Sequence, residues 1–202
     1  MKRYYEEELP VGYTEVLTVD ANDKKSGAKL GIAAAIVAAV LFNACFFLYV
    51  WPRRGEIAEG FSILKCVGFL AAYFFYVTLH ELTHGAVYKL LTGRKLTFGF
   101  KPPAAYCGLP DVYVYRKTSL LSLLAPFTVF SVLFAVLFIV VGDPFIKALI
   151  LALLILHVTG CTGDLHGVGL FLFKFRSPDT LRKDTGPKQI YYTKNRPKEN
   201  IL

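Results

Sequence analysis

The chain has 202 residues, of which 54% are hydrophobic and only 19% are charged. That balance argues against an ordinary soluble domain and for a single membrane-embedded domain, residues 1–202. The net charge of +8 would suit a nucleic-acid binder, but the Lys and Arg residues flank apolar runs. The lipid bilayer accounts for them more simply, and no nucleic-acid partner is expected.

Residues 1–29 are polar and mixed in charge, with no short apolar run after a basic start, so no cleavable signal peptide is expected. Residues 13–19 alternate weakly, as a short strand would. The first span covers residues 30–51. Leu30 to Val50 is 21 residues without a charge, enough to cross about 30 Å of hydrocarbon, and Trp51 closes it at the interfacial level. A short loop with Arg53 and Arg54 leads to the second span, 61–88, where Lys65 can snorkel to the interface. Residues 89–117 form the longest loop. Its segments 95–101 and 111–115 alternate and are β-prone, and Pro102-Pro103 and Gly108-Leu109-Pro110 punctuate them. A small hairpin is expected there, either closing the loop or pairing with an extended substrate by strand addition. The third span, 118–141, contains Pro126, which should kink it, and Gly142-Asp143-Pro144 is a tight turn. The fourth span, 145–173, contains His157, Cys161, Asp164 and His166. A basic tail, 174–202, follows; Ser177-Pro178-Asp179 reads as a helix start, and 189–193 as a strand. Cys45, Cys66, Cys107 and Cys161 form no C-x-x-C pair and read as small buried hydrophobes.

His80-Glu81-Leu82-Thr83-His84 lies in the second span. Histidines four apart on a helix project from one face, so both imidazoles can reach one zinc ion. Glu81, beside the first ligand, is placed to take a proton from water. Of fifteen acidic residues only Glu81 and Asp164 lie within an apolar span, where an unpaired carboxylate is costly. Orientation follows from the basic residues: 19 of 23 lie in 1–29, 89–117 and 174–202, which puts both termini and the long loop in the cytoplasm. The second and fourth spans then run in the same direction. His80 lies 19 residues after Phe61, and Asp164 lies 19 after Phe145, so both sit at about the same depth, near the cytoplasmic side. His157, seven residues before Asp164 on the same face, and His166 are further ligand candidates. Gly160, Gly163 and Gly167 suggest close helix packing, against Gly85 and Ala86.

A zinc motif in one transmembrane helix with an aspartate in a later one resembles the site-2 protease type of intramembrane metalloprotease. The chain resembles more closely the bacterial DUF3267 family of zincin peptidases. The likeness runs through Leu9-Pro10-Val11-Gly12-Tyr13, His80-Glu81-Leu82-Thr83-His84-Gly85, Phe98-Gly99-Phe100-Lys101, Leu124-Ala125-Pro126, Gly163-Asp164-Leu165 and Asp184-Thr185-Gly186. It implies His80, His84 and Asp164 as Zn2+ ligands and Glu81 as the catalytic acid/base. In site-2 proteases the aspartate is typically followed by glycine after an upstream Asn and Pro; here Leu165-His166-Gly167 follows and that Asn is missing. The oxyanion stabiliser is therefore unassigned. The metzincin extension is absent, and a single Asp184-Thr185-Gly186 cannot form an aspartic-protease dyad.

The expectation is an all-α polytopic membrane protein with about four transmembrane helices and a small cytoplasmic β-hairpin. It would be multi-pass in the cell membrane, with N- and C-termini cytoplasmic. It would be a zinc-dependent peptidase, cutting a membrane-protein or peptide substrate near the cytoplasmic membrane boundary. The alternative is a non-catalytic membrane scaffold or metal-binding partner that retains a zinc site, although such a site does not need Glu81. A metal transporter fits less well, because the spans hold only two buried acids; four histidines are too few for a diiron histidine-box site.

Overall fold

The computed structural model describes residues 4–21, 23–101 and 104–194. After the strands β1 (Tyr5–Glu6) and β2 (Tyr13–Asp20) comes α1 (Lys24–Cys45), extended by a π-helical turn, Phe46–Val50. Asp23 caps α1, its carboxylate accepting from the Ser26 N–H at 2.9 Å. The helix has no buried residue, as suits an apolar helix facing lipid rather than a protein core. A short helix, α2 (Arg54–Glu59), precedes α3 (Ile63–Thr92), which ends on Gly93 in the left-handed conformation (φ 68°) that glycine adopts without strain. Next come β3 (Thr97–Lys101), β4 (Ala104–Tyr115) and α4 (Arg116–Val140). In α5 (Pro144–Gly160), Asp143 caps the first turn and Pro144 occupies its start, where a missing N–H costs nothing. α6 (Thr162–Gly169) and a π-helical turn, Leu170–Lys174, lead to β5 (Leu181–Asp184) and β6 (Lys188–Lys194).

Among the described residues three helices are long and apolar enough to cross a membrane: Lys24–Val50, Ile63–Thr92 and Arg116–Val140. The fourth expected span is not one straight helix. It breaks at Cys161, between Gly160 and Gly163, and its two parts meet at 42°. Glycine is a poor helix former, and two beside one residue favour a break there.

The expected all-α fold with a lone hairpin is corrected. A hairpin is there, with Thr97 opposite Gly108 and Lys101 opposite Ala104, but Gly108-Leu109-Pro110 does not interrupt β4, and the other expected segment, 111–115, pairs with β1 and β5 instead. However, β4 runs on into a six-stranded antiparallel sheet of order β1-β4-β5-β6-β2, with β3 added on β4. Its other strands come from the polar start and the basic tail; β2 and β6 are the strands expected at 13–19 and 189–193, and β5–β6 is a local hairpin, but β1–β4, β4–β5 and β2–β6 pair across long separations that leave little local signature. Ser177-Pro178-Asp179 starts no helix; the chain turns there and enters β5. Pro102-Pro103 lie outside the described residues.

Packing places the site between bundle and sheet. Tyr76 (α3), Phe130 and Phe134 (α4), and Ile150 and Leu153 (α5) form one core cluster. Tyr88 packs on Leu109, Val112 and Val114 of β4, and Leu123, Val168 and Phe171 meet Tyr191 of β6. By contrast Leu64, Phe74, Phe75 and Leu90 of α3 lie exposed. The helix is apolar outward, as a lipid-facing helix should be.

Candidate metal centre

The buried side of α3 repeats every four residues: Tyr76, His80, His84, Tyr88 and Thr92. Side chains at this spacing lie one above another on a helix. The sequence motif is the middle of this ladder, and α6 brings Asp164 to it. His80 Nε2 and His84 Nε2 each lie 3.3 Å from Asp164 Oδ2 and 3.2 Å from each other. Ligand atoms held about 2.0–2.1 Å from a tetrahedral zinc are separated by about 3.3 Å, so the spacing fits.

The hydrogen-bond network assigns the histidine tautomers. His84 Nδ1 donates to the Ser122 carbonyl at 2.9 Å, which leaves the Nε2 lone pair facing Asp164. That carbonyl is available because Pro126, four residues on, has no N–H to bond it. On the other side, His157 Nε2 is 3.3 Å from the Phe127 carbonyl and 3.1 Å from Ser131 Oγ. A carbonyl only accepts, so this nitrogen donates and His157 Nδ1 accepts, from Tyr76 Oη at 2.8 Å. The Tyr76 oxygen then accepts from His80 Nδ1 at 3.2 Å, which leaves the His80 Nε2 lone pair facing the site too. Two lone-pair nitrogens and a carboxylate oxygen converge with no proton between them, an arrangement that a cation stabilises.

A second cluster, His80, His157 and Cys161, also has donor atoms within 4.8 Å of one another. It fits a metal poorly, because both His157 nitrogens already have partners. His157 is thus a buried, satisfied histidine behind His80. His166 is exposed and lies outside both clusters.

A cavity of about 160 Å³ opens on the three converging groups, lined also by Glu81, Cys107, Gly160, Gly163, Arg182 and Asp184. A Cβ added at Gly160 or Gly163 would meet nothing within 4 Å, so these glycines do not make the helix contacts expected of them; their missing side chains keep the cavity open. Gly85 instead packs under Phe98, Leu96 and Cys107. Glu81 lines this cavity, a second one beside Tyr76, and an apolar groove of about 560 Å³ between α3 and the β3–β4 hairpin. Burial, then the nearby Glu81 and Asp184 carboxylates, push the Cys107 thiol up to about 12, which makes it a poor nucleophile at neutral pH.

The DUF3267 sequence profile, described as "Putative zincin peptidase", matches residues 73–177, just over half the chain. The protein belongs to the DUF3267 family. No curated protein and no solved structure matches the chain. The DUF3267 match takes in the metal motif and Asp164 and stops before β5, so Arg182 and Asp184 of the cavity wall lie beyond it. Sequence reasoning missed Arg182, Tyr76 and Tyr88, and met Asp184 only as part of a triplet in the family likeness. The four-residue ladder was the available signal for the tyrosines. The Asp184-Thr185-Gly186 triplet proves to be a cavity wall in which Asp184 pairs with Arg182 rather than with a second carboxylate.

Proposed function

We propose that this protein is a zinc-dependent, membrane-embedded peptidase that hydrolyses peptide bonds near the cytoplasmic membrane boundary. The observation that carries the reading is the convergence of His80 Nε2, His84 Nε2 and Asp164 Oδ2 at 3.2–3.3 Å, with Glu81 on the wall of the same cavity. His80, His84 and Asp164 would hold the zinc. When bound, the metal supplies Lewis-acid polarisation of the peptide carbonyl and of a water. Glu81 accepts the proton of the attacking water and delivers it to the leaving amine nitrogen. Tyr76 and the Ser122 carbonyl keep the two imidazoles turned toward the site.

The substrate, a membrane-protein segment or a peptide, enters along the apolar groove, which shares Glu81 with the cavity of the converging groups. Among the described residues β3 pairs only with β4, so an extended substrate can add to its free edge and be drawn toward Glu81. In this reading the bent pair α5–α6 completes a fourth crossing, and both termini face the cytoplasm with the Lys- and Arg-rich segments.

The test is Glu81→Gln. The amide is nearly isosteric but cannot take a proton, so purified variant and wild type should each hold about one zinc per chain. Cleavage should fall by about a hundredfold to ten-thousandfold. A membrane protein accumulating uncut in the variant would identify a substrate. Identical membrane proteomes in wild type and Glu81→Gln, with a different one when the whole protein is removed, would overturn the peptidase reading in favour of a scaffold.

A further inference from the structure

Arg182 is among the largest fully buried side chains of the protein, at 1% exposure, and it lines the cavity that holds the metal motif. Its Nη2 donates to Tyr88 Oη and to Asp184 Oδ2. Among the described residues its Nε and Nη1 have no hydrogen-bond partner. A guanidinium carries five N–H donors, and those on Nε and Nη1 are therefore unmet in a buried cation. Such groups are costly unless something binds them, more so than a neutral donor. Asp184 is already engaged on both oxygens, by Arg182 and Tyr88 on one and by the Gly186 N–H at 3.0 Å on the other. The pair is thus held rigidly while one side of the fork stays unpaired.

The placement is built. Tyr88 continues the His80–His84 ladder one turn further and donates to Asp184 at 2.7 Å, which ties β5 to the metal-bearing face of α3. Arg182 and Asp184, two apart on a strand, share the face of β5 that meets this cavity. A planar fork fixed by a carboxylate suits an anionic oxygen with in-plane lone pairs.

We propose that Arg182 is a substrate-binding residue of this site. It holds an anionic oxygen of the bound peptide, either the carbonyl oxygen that becomes negative during attack or a substrate carboxylate. This rests on the peptidase reading. It fills the oxyanion role that no residue of the motif supplies, and it brings the C-terminal strands into the site.

The experiment uses full-length, zinc-loaded protein in detergent: wild type, Arg182→Lys and Arg182→Gln. Three probes are titrated. Two are phosphinic pseudodipeptides, whose tetrahedral anionic centre stands in for the attacked carbonyl; one ends in a carboxamide and the other in a free carboxylate. The third is a mercaptoacyl dipeptide amide, which reaches a metal through sulfur and has neither anionic oxygen. Both variants should keep zinc and bind the mercaptoacyl probe as wild type does. They should bind the phosphinic carboxamide roughly ten- to a hundredfold more weakly, as expected for a lost charge-assisted hydrogen bond. A loss confined to the carboxylate probe also supports the proposal and identifies the carboxylate as the source. Unchanged affinity for both phosphinic probes, or loss of zinc in both variants, overturns it; Arg182 would then be satisfied by water or purely structural. Wild type that holds no zinc and binds no probe overturns the peptidase reading itself, and the Arg182 assignment with it.

Discussion

Pro126 matters for what it lacks. An N–H at that position would reach back to the Ser122 carbonyl, the group to which His84 Nδ1 donates. Pro126→Ala supplies this competitor. Zinc affinity, measured by chelator competition, should fall about tenfold, at the lower end of what outer hydrogen-bond partners contribute to a metal site. Tyr76→Phe breaks the path from His80 to His157 and should cost about ten- to a hundredfold in the same assay. Unchanged affinity in both variants would mean that the imidazoles hold their orientation without these partners. At this scale the site was partly legible. His80, Glu81 and His84 announce themselves by spacing, and Asp164 by being an acid in an apolar run. Tyr76 and Tyr88 did not, because a tyrosine near a span reads equally well as an interfacial anchor. Arg182 was hidden among the basic residues of a tail, where a charge is usually solvated.

Elements of two kinds divide the chain. The long helices were legible because continuous apolar runs report themselves, and the observed α3 and α4 fall within a few residues of the expected spans. The sheet was read only in pieces: 13–19 and 189–193 reported themselves as strands and are β2 and β6, but the pairing of β1 with β4 and of β2 with β6 crosses most of the sequence, with Tyr5 opposite Val114 and Tyr13 opposite Lys194. Of the local pairings the hairpin at β3–β4 could be read, whereas the tail hairpin β5–β6 was missed because β5 is only four residues long. The turn between α4 and α5 carries a pH dependence. The Lys65 ammonium, 2.5 Å from Asp143 Oδ2, and then the Ile146 N–H hold the Asp143 carboxyl below the usual carboxylate range. A carboxyl lowered in the folded state stabilises above its unfolded value of about 3.9, and this contribution is lost as pH falls through the folded value. Thermal unfolding in detergent should therefore steepen in its pH dependence below about pH 4, and Asp143→Asn should flatten that part of the curve. Equal curves for the two proteins would show that the capped turn does not limit stability.

For the whole molecule, the uneven placement of Lys and Arg predicts that a cysteine probe near Gly55 is labelled from outside and one near Thr97 is not. The reverse pattern would put the metal centre near the outer face. One feature of α3 governs how the halves of the protein fit together. Its ladder advances four residues per rung, while the helix turns once in about 3.6, so each rung is rotated by about 40° from the last. From Tyr76 to Thr92 that amounts to about 160°, nearly half a revolution. The partners follow the rotation: Tyr76 meets His157 of α5, His84 meets α4, and Tyr88 meets Asp184 of β5. The helix thus works like a screw thread whose upper flights engage the bundle and whose lower flights engage the sheet, with His80 and His84 between. Inserting one alanine after Gly85 would advance the lower flights by about 100° and leave the upper ones in place. Such a protein should keep its zinc, while the sheet loses its purchase on Tyr88 and Arg182 loses its fixed orientation.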